Sequence, residues 1–411
     1  MSFLVPPAKR SPLLPIFLIV LVDVFGMTLV IPLLAIYSEH FGATPLEATM
    51  LVSTYALCQL VSGPVLGRIS DRVGRKPMLL VSQVGTFLGF LLLARANALW
   101  MIYVSRIIDG STAGNLALAQ AYIADNTKRE DRAKSFAIIG ISFGIGFFVG
   151  PSITGFLVAY GLAAPVYLAA ALSMTSILCT TFLLPGGPPV PHADGDAGPA
   201  GRRPSAFAVA TYTTYFSRPV LAALFVQFFC FAFAFSSFTS GFALFAERRF
   251  TWAGHPFGPR EIGYLFAYSG LLGIVVQGGL LGRLVKRFGE RALVVAGFAG
   301  MAIGYGTLGM IDTVPLLLVA STFASLGNAV LRPALSSLVT HQAGPREQGV
   351  VLGLTQSLVS VAQISAPLIG GLLIGRGLLS AWALVAASAA GVGLLMVVRV
   401  KPVGTPVDAK P

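Results

Sequence analysis

Residues 67–76 read GRISDRVGRK and residues 282–291 read GRLVKRFGER. Glycine and arginine coincide at Gly67/Gly282, Arg68/Arg283, Arg72/Arg287 and Gly74/Gly289, a constant offset of 215 residues. A second echo, GPSITG at 150–155 and APLIGG at 366–371, is offset by 216. Two coincident offsets identify a chain of two related halves. Long apolar runs flank both copies of the basic loop, so each joins two hydrophobic segments.

Those runs set the class. Hydrophobic residues make up 55% of the 411 residues and charged residues 11%, with mean hydropathy +0.81. A soluble domain carries about 25% charge, and a membrane span needs roughly 20 apolar residues. Spans are expected at 13–37, 48–68, 78–97, 98–124, 135–158 and 163–184. They resume at 219–247, 261–282, 292–311, 314–338, 349–375 and 379–399. The fold expected is an all-α polytopic membrane protein with twelve transmembrane helices in two pseudo-symmetric six-helix bundles. The first run is too long for a cleaved signal peptide and carries Asp23 and Pro32. The bundles should occupy 1–185 and 219–399, with a cytoplasmic linker at 186–218 and a cytoplasmic tail at 400–411. The linker begins rich in Pro, Gly and Ala and cannot bury a core; residues 205–216 read either as a short helix on the membrane surface or as coil.

Charge gives the orientation. With a cytoplasmic N-terminus, 21 of the 28 Lys and Arg fall in cytoplasmic segments. Arg95, Arg248, Arg249, Arg260 and Arg376 lie outside them, and Arg106 and Arg332 lie within spans. The positive-inside rule therefore puts both termini in the cytoplasm of a multi-pass protein of the cell (inner) membrane. The net charge of +12 has this explanation, and no soluble segment could build a nucleic-acid-binding face.

Charges inside the membrane point to function. Asp23 lies mid-span one; Arg106 and Asp109 share a face of span four at i, i+3; Arg332 lies in span ten. Each costs about 2.5–3.5 kcal/mol at the bilayer centre, so each should face a cavity or a partner. Asp23, and with it Asp109, is a candidate proton exchanger, with Arg106 as the counter-charge; a permanently paired structural network is the alternative. In span five, Gly146 and Gly150 should admit a close helix neighbour, and Pro151 should bend the helix. In the loop, Gly67 and Gly74 permit a tight turn, Arg72, Arg75 and Lys76 could reach phosphate head groups, and Asp71 is expected near a helix start, where an anion is favoured.

At these residues the chain resembles the major facilitator superfamily. Gly67, Asp71, Arg72, Gly74, Arg75 and Lys76 match its loop signature between spans two and three. Asp23-x-x-Gly26 with Pro32, Arg106-x-x-Asp109-Gly110 and Gly146-x-x-x-Gly150-Pro151-x-x-x-Gly155 resemble its drug:proton antiporter branch, near the tetracycline-efflux type. The resemblance implies alternating access, a cytoplasmic gate that latches the halves through Asp71, Arg72 and Arg75, Asp125 as partner of Arg75, and an antiporter-like packing role for Gly146, Gly150, Pro151 and Gly155. Lys286 stands where the second loop would have its acid, so the latch should be one-sided.

The expected solute pocket draws on Gln227, Gln277, Gln356, Arg332, Tyr55 and Phe143, since a lipid-facing glutamine is costly. Beyond Glu261 at the start of span eight, spans three, eight and nine hold no acid, where the resemblance to the tetracycline-efflux type implies some; this argues against tetracycline itself, and Arg332 beside Pro333 leaves room for an anion. Cys58, Cys179 and Cys230 are isolated and no P-loop is present. Neither metal, cofactor nor enzymatic activity is expected. The reading is a monomeric secondary active transporter, a proton-coupled antiporter exporting lipophilic or amphipathic small molecules. The alternative is a symporter or uniporter of a metabolite such as a sugar, organic anion or lipid.

Overall fold

The computed structural model describes residues 13–126, 132–185, 209–342 and 347–399, and they are helical almost throughout. The first half comprises α1 (Leu13–Glu39), α2 (Pro45–Val73), α3 (Arg75–Ala94), α4 (Leu99–Ser111), α5 (Asn115–Asn126), α6 (Arg132–Leu157) and α7 (Ala164–Leu183). A short helix, α8 (Val209–Phe216), precedes the second half. That half comprises α9 (Pro219–Arg249), α10 (Pro259–Val275), α11 (Leu281–Leu308), α12 (Val314–Gln342), α13 (Gln348–Gly375) and α14 (Leu379–Arg399). Among the described residues, nine helices are long and apolar enough to span a membrane. One of them, Pro259–Leu308, contains two spans folded at Gly289; α6 and the α4–α5 pair supply the remaining two. The expected linker up to residue 208 and the tail lie outside the described residues.

The duplication extends into local geometry. Gly74 (φ 104°, ψ 156°) and Gly289 (φ 78°, ψ 160°) turn the chain with the same left-handed backbone, a conformation a Cβ would strain. Gly67 and Gly282, expected to share that turn, are instead helical, so one glycine per loop suffices. Asp71 sits in the last turn of α2, not near a helix start. Both α2 and α10 begin with proline at the first helical turn and a glutamate that closes on the capping residue. Glu47 Oε2 accepts from Thr44 N–H at 2.8 Å, and Glu261 Oε2 from Gly258 N–H at 2.9 Å. The two prolines are 214 residues apart, whereas the glycines are 215 apart. The extra residue is taken up by a π turn at Val276–Leu280, which accommodates a one-residue insertion without ending the helix.

Span four is not the single helix expected over 98–124. It breaks at Thr112–Gly114 between α4 and α5. The Ser82 hydroxyl on α3 donates to the Thr112 carbonyl and accepts from Gly114 N–H (2.9 Å), so the freed backbone groups are satisfied inside protein. Gly85 of α3 makes room, since a Cβ there would stand 2.5 Å from Thr112 Cβ.

The two halves pack differently. The second is built around one continuous apolar cluster that includes Phe225, Phe242, Phe245, Phe298, Leu331 and Trp382. The first has two clusters, one around Ile16, Ile19, Leu79 and Leu118 and another around Leu29, Leu33, Phe90 and Val166. Between them lies a polar layer.

Candidate functional site: a polar layer beside an inter-half cleft

Asp23 of α1 lies in that layer with its carboxyl beside Asn115 of α5 and Ser176 of α7. Gln83 of α3 donates through Nε2 to Ser176 Oγ at 2.8 Å, and Ser173 Oγ donates to the Gln83 carbonyl at 3.4 Å. Gln83, Ser176 and Thr180 are fully buried. Asp23 is partly accessible, yet its Oδ1 is buried without a hydrogen-bond partner, as are Gln83 Oε1 and Asn115 Oδ1. Acceptor oxygens therefore outnumber placed donors around one carboxyl, a setting suited to taking up a proton.

The expected Arg106–Asp109 pair is formed, with Nη1 3.2 Å from Oδ2 and both side chains buried. Arg106 lies over the Phe90 ring at 5.7 Å and also reaches Ser105 Oγ, while its Nη2 has no partner. Gly89 lets α3 approach, since a Cβ there would meet Asp109 Cβ at 3.0 Å. The helix break follows directly, and the Gly110 carbonyl, buried at it, accepts from the Ser62 hydroxyl of α2 at 2.8 Å.

Span five works on two faces. Gly146 and Gly150 press α6 onto α1, where a Cβ on Gly150 would stand 2.8 Å from Thr28 Cβ. Thr28 donates to the Gly146 carbonyl (2.9 Å), and Thr154 donates to the Leu29 carbonyl (2.8 Å). On its other face, Pro151 and Gly155 meet α10 of the second half: a Cβ on Gly263 would lie 2.7 Å from the Pro151 carbonyl oxygen and 2.9 Å from Gly155 Cα. Gly371, the repeat of Gly155, packs the same way on α2, where a Cβ would stand 2.8 Å from Leu46 Cα. Both contacts lie at the end of the molecule away from Gly74 and Gly289, the far end. Arg248 of α9 and Glu39 of α1 join the halves there by an ion pair.

At the loop end the halves part. Gly63 and Gly67 lie on the α2 face that meets α13 at the far end, yet among the described residues nothing stands within 4 Å of a Cβ on either. Gly278 and Gly279, beyond the last α10–α6 contacts, are equally open. Gln277 follows Gly263 and Gly270 at sevenfold spacing and is exposed, so it faces this cleft. Gln356 is exposed on the side of α13 opposite the outward stripe Val361, Ile369 and Leu372, and so faces it too. Arg332 lies on α12 and is accessible. Tyr55 is partly accessible and accepts from Gln59 Nε2 at 3.3 Å. Gln227 is buried within the second half, away from an open surface. Phe143 belongs to α6, and its side chain lies outside the described residues.

Asp71, Arg75 and Lys76 are engaged within their own half. Arg75 pairs with Asp125 (2.8 Å) and Asp71 (2.7 Å) and donates to Ser70 Oγ. The pairing with Arg75, four residues on, compensates an acid at the carboxyl end of a helix. Lys76 does not reach outward to head groups; it donates to the Thr181 and Leu184 carbonyls at the end of α7, capping them. Its repeat Arg291 does the same to Val397 of α14 at 2.9 Å. At the position of Arg75 the second half has Glu290, which meets His341 (3.5 Å) and accepts from Ser337 Oγ of α12, so an acid stands where the first half has a base.

Two apposed helical bundles, joined at one end and parted at the other, with a polar layer inside one of them, define a transporter of the alternating-access type. The model of the Major Facilitator Superfamily matches residues 16–281 and 257–411, and the chain belongs to that family. It is 32% identical to the class C tetracycline resistance protein of Escherichia coli, covering 88% of this chain and 89% of that one. It is 28% identical to multidrug resistance protein 2 of Bacillus subtilis (strain 168), covering 87% and 88%. The crystal structure of the human organic anion transporter MFSD10 (TETRAN) shares the fold, with TM-score 0.72 at 22% identity over 95% of this chain and 100% of that one. The protein is thus a secondary transporter of a small molecule, multi-pass in a membrane.

Residue-by-residue reading missed Gln83, Asn115 and Ser176. A signal existed for two of the helices. Ser82, Gly85 and Gly89 form a small-residue stripe on α3, and Ser173, Ser176 and Thr180 one on α7, at the spacings that admit a close neighbour.

Proposed function

We propose that this protein is a proton-coupled antiporter that exports lipophilic or amphipathic compounds. The observation that carries the reading is Asp23, a partly accessible carboxyl with an unpartnered buried oxygen in the polar layer of the first half. The excess of Lys and Arg on one side supports cytoplasmic termini in an inner-membrane protein; in that orientation the cleft opens to the cytoplasm and Glu39–Arg248 closes the outside. A proton arriving at Asp23 and a solute in the cleft then occupy the transporter in alternation. Arg106 holds Asp109 as a fixed pair that positions α4 at its break, and Gln277, Gln356 and Arg332 supply the polar contacts of an otherwise apolar cleft. The loop network of Asp71, Arg75 and Asp125 firms the cytoplasmic edge of the first half. The names of the relatives support a drug as solute.

Arg332 favours a second reading, a proton-linked carrier of an organic anion. Proteoliposomes with an imposed pH gradient separate the two. Tetracycline, a quinolone, a cationic dye and a small organic anion are offered in turn. Antiport expects a drug to accumulate while the gradient dissipates; accumulation of the anion together with protons selects the second reading, and no movement of any compound overturns both.

The far-end closure carries its own expectation. Arg248→Ala removes the ion pair between α1 and α9 and shifts the molecule toward opening at that end. Maleimide labelling of a cysteine introduced at Ala48, buried against the second half at that end, should rise relative to the same cysteine in the parent. Unchanged labelling would mean that the glycine contacts alone hold that end.

A further inference from the structure

A cavity of about 530 Å³ lies outside the cleft, at the far end of the second half. It sits between the first turns of α10 and α12 and is roofed by a hairpin, Thr251–Trp252 paired with His255–Pro256. The hairpin turns through Ala253 and Gly254, both with positive φ. Its walls combine Trp252, His255, Arg260 and Tyr264 with Val314 and Leu318. Trp252, Tyr264 and Leu318 are exposed, so the cavity opens sideways, at the depth where α10 and α12 begin and the hydrocarbon ends.

Three features agree on the chemistry. Arg260 is exposed but held, its Nε donating to Tyr264 OH at 3.0 Å and its guanidinium over the Tyr264 ring at 5.7 Å. A guanidinium has five N–H donors, and this bond uses one. Glu261 also lines the cavity and acts on Arg260 through its charge, while its carboxylate accepts the Gly258 N–H of the helix cap. Below the cavity an exposed apolar surface continues along Leu271 and Val275 of α10 and Phe323 of α12. Tyr268 and Thr322, hydrogen-bonded at 2.8 Å, form its floor. A cation at the interface, aromatic rings at head-group depth and a greasy groove beneath match an amphiphile with an anionic head and long tails. A wholly polar solute would leave the groove uncovered.

We propose that this cavity binds an anionic phospholipid of the adjoining leaflet, with its phosphate on Arg260 and its acyl chains along the α10–α12 groove. The carbonyl of Arg260 also lies 3.1 Å from where a Gly155 Cβ would be. A lipid that fixes the first turn of α10 therefore fixes one side of the seam between the halves.

Trp252 reports occupancy directly. In a Trp100→Phe background, with Trp382 buried in the core, the protein is reconstituted in phosphatidylcholine containing a small fraction of brominated phosphatidylglycerol or brominated phosphatidylcholine. Brominated phosphatidylglycerol should quench Trp252 with about fivefold higher apparent affinity, the factor one arginine supplies at an anionic surface. Arg260→Gln should abolish the preference and Arg260→Lys should keep most of it, with melting temperatures checked for each. Equal quenching by both lipids in the parent, or a preference that survives Arg260→Gln, overturns the proposal.

Discussion

Asp23→Asn is expected to reduce substrate-driven proton flux in proteoliposomes to the level of protein-free vesicles, while the protein folds and still binds its solute. Asparagine matches aspartate in size and can still accept from the Ser176 hydroxyl, so the polar layer keeps its packing. It cannot take up and release a proton. A purely structural role for Asp23 predicts the opposite: flux would persist, with a lower melting temperature at most. Undiminished coupled flux in the variant would therefore remove the central element of the proposed mechanism. Arg106→Lys is a useful companion, because a lysine loses the planar fork that reaches both Asp109 and Ser105.

Gly150→Leu should be the most destabilising single change at the site. The added Cβ would stand 2.8 Å from Thr28 Cβ and 3.2 Å from the Thr28 carbonyl carbon. The second neighbour is backbone and cannot rotate away. Forcing α1 and α6 apart should cost about 3 kcal/mol or more, with a fall in melting temperature of roughly 10 °C. It would also displace Asp23, which sits next to the Val24 that packs on Gly146. Gly63→Leu is the matched control, because that glycine borders open space. It should melt like the parent yet lose transport, since the loop end could no longer close. If both variants melt alike, the contact between α1 and α6 is less rigid than its geometry implies.

The duplication was readable because one constraint was imposed twice: a left-handed turn that only glycine tolerates well stands at Gly74 and again at Gly289. Intramembrane charge was equally plain, since Asp23, Arg106 and Asp109 are conspicuous in apolar runs, and the i, i+3 spacing of the last two foretold their pairing. The surroundings of Asp23 were not readable. Its neighbours come from α3, α5 and α7, so no spacing along the chain links them, and nothing in the sequence marks Gln83 as the glutamine that lies near a carboxyl. The break in span four was hidden for a related reason. Thr112, Ala113 and Gly114 do not interrupt hydropathy, and the hydroxyl that satisfies the break belongs to Ser82 on another helix. Of three glutamines chosen because lipid would reject them, Gln277 and Gln356 are exposed and Gln227 is buried; a cost argument alone does not tell a cleft from a core.

The seam at the far end is made of backbone against backbone, Gly263 on Pro151 and Gly155, and Gly371 on Leu46. Dispersion attraction of this kind loses roughly a quarter to a half of its depth over a gap of about 0.5–1 Å and most of the rest within a few ångströms. A partial opening of a few ångströms therefore forfeits most of its energy, and half-open geometries gain little from either end. The cycle is expected to behave like a toggle, with brief crossings between two occupied positions.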